Sequence, residues 1–169
     1  MFKEISVNKL NENPFHLIGK QWMLVTAGTR DNFNTMTAAW GSFGFLWNLP
    51  VTQIYVRPQR HTYDFVEKNE YYTLCFFDKS HKNILTYCGS HTGKEFDKVK
   101  ETGLLPLETN LDNIYFEQAR LVMECKKIYF EDINPANFVD RLIQRNYPNK
   151  DYHRMYTGKV VNCLINEQN

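Results

Sequence analysis

Residues 21–29 alternate with period two, and neither alternating set is polar. Trp22, Leu24 and Thr26 share one face of a strand, while Met23, Val25 and Ala27 share the other. A strand apolar on both faces must be covered on both, one face turned into a barrel and the other lying under an outer layer. Residues 51–56, 71–77, 119–130 and 155–165 are further strand candidates, rich in β-branched and aromatic side chains. Residues 34–47 read as two short strands, bent where Gly41 and Gly44 permit it.

The helical signals are short and fall between these strands. Thr62 is placed to cap a helix over 63–68, and Ser80 one over 81–87. A third, over 94–102, puts Phe96 and Val99 on one face and stops at Gly103. Asn134-Pro135 opens a fourth, with Phe138, Val139, Leu142 and Ile143 as an apolar stripe and Pro148 beyond its end. About six strands joined by short helices suit a closed or partly closed antiparallel barrel. A parallel doubly wound sheet would need longer crossover helices around 119–130 and 155–165. No repeat or linker interrupts the 169 residues, so the expectation is a mainly β protein of one domain, 1–169.

A formal net charge of +1 offers no global field to nucleic acid or an anionic membrane. No apolar run approaches the roughly 20 residues of a membrane helix. Lys3, Glu4, Lys9 and Glu12 break up any signal-peptide pattern, and a cytoplasmic protein is expected. Cys75, Cys88, Cys125 and Cys163 are widely spaced, and the five histidines lack metal-ligand spacing, so no metal site is expected. Cys88, the one nearest a candidate site, reads as a packing residue or as a redox centre; the second would need a cationic setting.

Two segments carry ligand chemistry. In Asn34-Thr35-Met36-Thr37-Ala38-Ala39-Trp40-Gly41-Ser42, small and hydroxyl side chains ended by an indole let a flat ring lie close to a strand backbone. Trp40 reads either as part of that wall or as core. In Arg57-Pro58-Gln59-Arg60-His61-Thr62, two guanidinium groups stand beside a hydroxyl at a helix start, which suits a phosphate. Gly89-Ser90-His91-Thr92-Gly93-Lys94 is one residue short of a nucleoside-triphosphate loop, and Glu95 stands where Ser or Thr must hold magnesium. Small residues at a helix start still suit an anion, with Lys98 one turn inside; a capped surface helix is the other reading. No Gly-x-Ser-x-Gly elbow and no carboxylate pair placed for hydrolysis occurs, so no catalytic side chain is expected.

In order along the chain, these segments resemble the flavin reductase-like, FMN-binding split-barrel family, which includes the flavoredoxins. The matching pieces are Asn-x-Met-Thr-Ala-x-Trp-Gly at 34–41, Trp47-Asn48-Leu49-Pro50, and 56–62. Ser90-His91-Thr92-Gly93-Lys94-Glu95-Phe96-Asp97-Lys98, Leu121-Val122-Met123-Glu124-Cys125 and 153–161 complete them. Residues 132–152 follow the family pattern least, and its late Gly-Asp-His reads Asp151-Tyr152-His153. The resemblance implies a six-stranded antiparallel Greek-key split barrel, and a homodimer that holds FMN where the subunits meet. It carries over Asn34, Thr35, Met36, Thr37, Ala38 and Trp40 as the isoalloxazine wall, and Ala39 is counted with them as cofactor-binding because it leaves room for the ring plane. Val56 and Arg57 then supply backbone at the ring edge, and Arg60 and Thr62 the phosphate contacts. Ser90, Thr92, Gly93 and Lys98 would lie near the same flavin. His153 matches a residue that approaches the ring or a nicotinamide substrate, although a structural histidine is the competing reading. Trp47 serves the site or a subunit contact.

The function this implies is an FMN-dependent oxidoreductase, with hydride passing from C4 of NAD(P)H to the flavin N5 and electrons continuing to a small-molecule or protein acceptor. The alternative is a flavoredoxin-type electron carrier without NAD(P)H activity, since no Gly-x-Gly-x-x-Gly marks a nicotinamide site. A small-barrel binding module for nucleic acid would need a basic groove that the near-neutral charge does not supply.

Overall fold

The alternating segment forms a strand, and its two apolar sets part as the periodicity requires. A computed structural model describes residues 1–167. The chain begins with β1 (Phe2–Glu4), a one-turn helix α1 (Pro14–His16) and a π-helical turn, Leu17–Gln21. Four strands follow, β2 (Met23–Thr29), β3 (Asn32–Ala38), β4 (Gly41–Leu46) and β5 (Leu49–Val56), then α2 (His61–Lys68) and β6 (Tyr71–Phe76). Next come α3 (Lys82–Ser90), α4 (Lys98–Thr102) and a small ribbon of β7 (Pro106–Glu108) with β8 (Ile114–Phe116). Two long strands, β9 (Leu121–Asp132) and β10 (Arg154–Asn166), close the fold.

One antiparallel sheet runs in the order β3-β2-β6-β9-β10-β5-β4, with β1 added to β10. The 13 residues of β10 serve two partners on one side, β5 at 154–159 and β1 at 164–166, while β9 follows the other side. β3 and β4 are the outer strands of this order, yet only Ala39 and Trp40 lie between them in sequence. A flat sheet of seven strands would hold its outer strands about 28 Å apart. Three Cα steps reach only about 11 Å. The sheet must therefore curl until its edges meet, and because no ladder joins them the result is a split barrel.

Met23, Val25 and Ala27 of β2 enter the main core with Leu74, Phe76, Met123 and Tyr156. Leu24 belongs to a second layer with Cys75, Leu85, Phe116 and Val122, beneath α3 and β8. Tyr72 is fully buried; its hydroxyl shares a hydrogen bond with Thr52 Oγ1 at 2.9 Å and occupies the space a Cβ on Gly158 would need. Glu124 is a fully buried carboxylate. It accepts from Asn113 Nδ2 at 2.7 Å and from Thr109 and Asn162, so the charge is held by three donors, as burial demands.

The strands expected from sequence all form, whereas the helices depart from expectation. The bend between β3 and β4 falls at Ala39–Trp40, and β4 runs on through Gly44. Arg60, not Thr62, occupies the cap position of α2; Thr62 lies buried in its first turn. Ser80 sits in a preceding 3-10 turn, Lys79–His81, and makes no cap for α3. The third helix shrinks to α4, capped by Asp97 through the Lys100 N–H, and ends as expected at Gly103, φ +69°. Phe96 is left outside it. The fourth helix does not form. Asn134 accepts from the Ala136 N–H and Asp140 from the Leu142 N–H, so each side chain starts a separate 3-10 turn. Val139, Leu142 and Ile143 are left exposed rather than forming a packed stripe. All four cysteines are buried and unpaired, and burial pushes the Cys88 thiol up to about 11, which favours the packing reading. Among the described residues no helix is long and apolar enough to cross a membrane, and no cluster of three potential metal ligands occurs.

Candidate functional site

The corner where β3 meets β4 is one wall of a cleft of about 200 Å³, lined by Met36 to Trp40 together with Tyr55, Arg57, Arg60 and His153. Strand alternation on β5 turns Ile54 and Val56 into the core and leaves Tyr55, between them, half-buried at the cleft. Arg60 comes from the connection between β5 and α2, and His153 from the residue before β10. Thr37 is fixed by donating its hydroxyl to the carbonyl of Leu85 at 2.5 Å. The rings of Trp40 and His153 lie 5.0 Å apart, tilted by 50°.

The two arginines have different surroundings. Arg60 is exposed and donates from Nη1 to the carbonyl of Gly89 at 3.0 Å; its other guanidinium N–H groups have no partner among the described residues. Arg57 is held at both ends of its fork, Nη1 donating to the Asp151 carboxylate and Nη2 to the carbonyl of Asn146 at 2.9 Å. His153 is buried, and its Nδ1 shares a hydrogen bond with the Tyr147 hydroxyl at 3.0 Å. Burial first, and then the Arg57 and Arg60 charges, lower its pKa to about 4, so the imidazole is neutral at physiological pH.

A second, larger cleft of about 490 Å³ continues along β3, bordered by residues 30–35, by 93–99 and by Pro106. Here Asn34 Nδ2 donates to Thr62 Oγ1 at 2.7 Å, and Gly93 lies so close to Asn34 that a Cβ would strike its amide. Lys98 is buried, with Nζ donating to the carbonyls of Thr35 and Cys88 at 2.8 Å each. Burial lowers its pKa to about 8.

The structure thus divides the residues singled out from sequence. Met36, Thr37, Ala38, Ala39, Trp40, Arg57, Arg60 and His153 share the smaller cleft, and Asn34, Thr35, Gly93 and Lys98 the larger one. Val56, Thr62, Ser90 and Thr92 line neither. Val56 is core, and the Thr35 hydroxyl is turned away to Thr26 Oγ1 at 2.8 Å. Ser90 ends α3 instead of starting a helix, and its hydroxyl donates back to the carbonyl of Thr86 at 2.9 Å. Tyr55, Tyr147 and the side chain of Asp151 had not been singled out. Period-two alternation on β5 pointed to Tyr55; nothing local marked the other two.

Residues 15–169 match the family model described as "Flavin reductase like domain". The chain belongs to that family. A search of curated proteins returned no match. Among solved structures, an FMN-binding domain of a flavin reductases-like enzyme from Shewanella baltica is similar, with a TM-score of 0.72 and 18% identity over 99% of this chain and 78% of that one. The flavoredoxin of Desulfovibrio vulgaris gives 0.69 and 19% identity over 98% and 78%. An NADH:FAD oxidoreductase of Streptomyces globisporus gives 0.65 and 12% over 86% and 80%. At these identities the structural matches establish the split-barrel fold of a flavin reductase-like protein.

Proposed function

We propose that this protein is an FMN-dependent oxidoreductase that takes electrons from NADH or NADPH and passes them to a second acceptor. The observation that carries the reading is the Met36–Trp40 wall with Arg60 beside it, a cation whose guanidinium is largely unpaired. Those donors, with the first-turn N–H groups of α2 that have no intrahelical acceptor, suit a terminal phosphate. Small residues at Ala38 and Ala39 leave the strand backbone open to a flat ring, and Trp40 and Tyr55 add aromatic surface. Asn34, Thr35, Gly93 and Lys98 border the larger cleft that continues along β3 and would stand beside the same flavin. FMN, when bound, supplies the hydride and electron chemistry, and the chain supplies position and electrostatics. His153, neutral and held through Nδ1, keeps Nε2 free for a polar group of the nicotinamide.

The small cleft holds about 200 Å³, less than the roughly 300–1,000 Å³ typical of ligand pockets. Trp40, Phe45, Trp47 and Phe130 are exposed on the same chain. A second copy that covers this aromatic surface and completes the flavin site accounts for both features. A second reading, an electron carrier reduced by a protein partner, draws on the likeness to flavoredoxin.

The visible spectrum of the purified protein tests the proposal. It should show a flavin that is released as FMN on denaturation and that bleaches with NADH or NADPH under argon. Bleaching only by a protein donor selects the carrier. A colourless protein that also fails to quench added FMN fluorescence at micromolar concentration refutes flavin binding.

A further inference from the structure

Residues 133–153 leave the sheet at the end of β9 and return at β10, with the Ile133 N–H donating to the carbonyl of His153 at 3.0 Å. Val139, Leu142 and Ile143 are exposed, and the apolar packing of this excursion is a cluster of its own rings, Phe138, Tyr147 and Tyr152. Its polar attachments converge on Arg57. Nη1 donates to the Asp151 carboxylate, Nη2 to the Asn146 carbonyl at 2.9 Å, and the guanidinium carbon lies 5.2 Å from the centre of the Tyr147 ring. Gln59 gives Asp151 a second donor. Tyr147 in turn bonds to His153, and His153 meets Trp40.

We propose that Arg57 is a positioning residue that clamps 146–151 so that His153 stands at the cleft wall against Trp40. Both of its Nη atoms donate to the clamp, whereas Arg60 gives one bond and keeps its remaining donors for the phosphate. A planar fork can serve a carboxylate and a carbonyl while stacking on a ring; an ammonium cannot do all three. The kinetic consequence rests on reading this cleft as the flavin site, whereas the clamp stands without it.

The groups that face His153 make a discriminating test. They are the Arg57 and Arg60 cations, the Asp151 carboxylate and the Tyr147 hydroxyl. By charge alone, deleting Asp151 removes an anion that favours imidazolium, so the His153 titration midpoint would fall. Release of the clamp exposes the ring to water, so the midpoint should instead rise from about 4 toward the ordinary value. The experiment follows the His153 imidazole by NMR across pH in FMN-free wild type, Asp151→Ala and Arg57→Lys. Both variants should raise the midpoint by a unit or more, with amide exchange across 134–152 about tenfold faster while the β9–β10 ladder stays protected. With FMN bound to Asp151→Ala, KM for NADH should rise about tenfold while FMN affinity changes less than about threefold. A midpoint that falls or stays put in Asp151→Ala overturns the clamp. Wild type that binds no FMN removes the flavin reading instead, and the NMR result still decides the clamp.

Discussion

Lys98→Met removes a buried ammonium that ties together α4, the carbonyl of Thr35 on β3 and that of Cys88 on α3, with both hydrogen bonds at 2.8 Å. Burial lowers the Lys98 pKa from 10.5 to about 8, so the unfolded chain holds this proton more tightly than the folded one. Through this group folding loses about 3 kcal/mol at pH 7 and less than about 1 kcal/mol at pH 10. The penalty is complete below pH 8 and fades as pH rises from 8 toward 10.5. Methionine carries no such penalty, but it strands two carbonyls at a cost of about 1–3 kcal/mol each. At pH 7 these effects oppose one another, whereas at pH 10 mainly the lost hydrogen bonds remain. The stability of wild type minus that of Lys98→Met should therefore rise by roughly 2–3 kcal/mol between pH 7 and pH 10. Buried thiols and tyrosines that also titrate are common to both proteins and cancel to first order in the difference. Urea unfolding at pH 7, 8, 9 and 10, without flavin, measures it. A difference that is constant across that range would show that Lys98 titrates normally, and the reasoning from burial would be wrong.

Three other substitutions or measurements probe separate features. Arg60→Ala should weaken FMN binding by about 1.5–3 kcal/mol, the scale of a hydrogen bond to a charged group, with the fold intact; unchanged affinity in a fluorescence-quenching titration would leave Arg60 a solvated charge. Gly158→Ala drives a methyl group into the Tyr72 hydroxyl inside the barrel and should cost about 1–3 kcal/mol of stability. An unaltered melting temperature would mean that Tyr72 has room to move. Sedimentation equilibrium at low micromolar concentration should find a dimer whose fraction rises with FMN, because a ligand held between copies favours the associated form. A monomer in both conditions would remove the shared site.

What could be read from sequence follows how local each signal was. β2 was legible because both of its alternating sets are apolar and both faces are buried, and β6, β9 and β10 because of their β-branched and aromatic content. The three-residue β1 carries no such pattern; it exists because β10 offers an open edge at 164–166. Helix starts were misread where capping residues competed. Thr62 had the right chemistry for a cap, but the Asn34 amide across the fold claims its hydroxyl. At 134–146 two capping side chains broke an amphipathic pattern into turns. The Met36–Trp40 and Arg60 pairing was visible as motif chemistry. The attachment of Arg57 to Asp151 was not, because 94 residues separate them and nothing in either neighbourhood announces the other.

The two-residue link at Ala39–Trp40 makes the cleft wall and the seam of the barrel one object. A molecule seated against Trp40 would brace the seam from outside, holding together the two strands that no backbone ladder joins. Occupancy would then be felt most at the margins of the sheet and least at β6 and β9 in its middle. One extra residue in the link would slacken the tether between the two edge strands and move Trp40 away from the cleft, while β4 keeps its facing through its ladder with β5. Variation in length is therefore expected in the long excursion of residues 133–153 rather than at this corner.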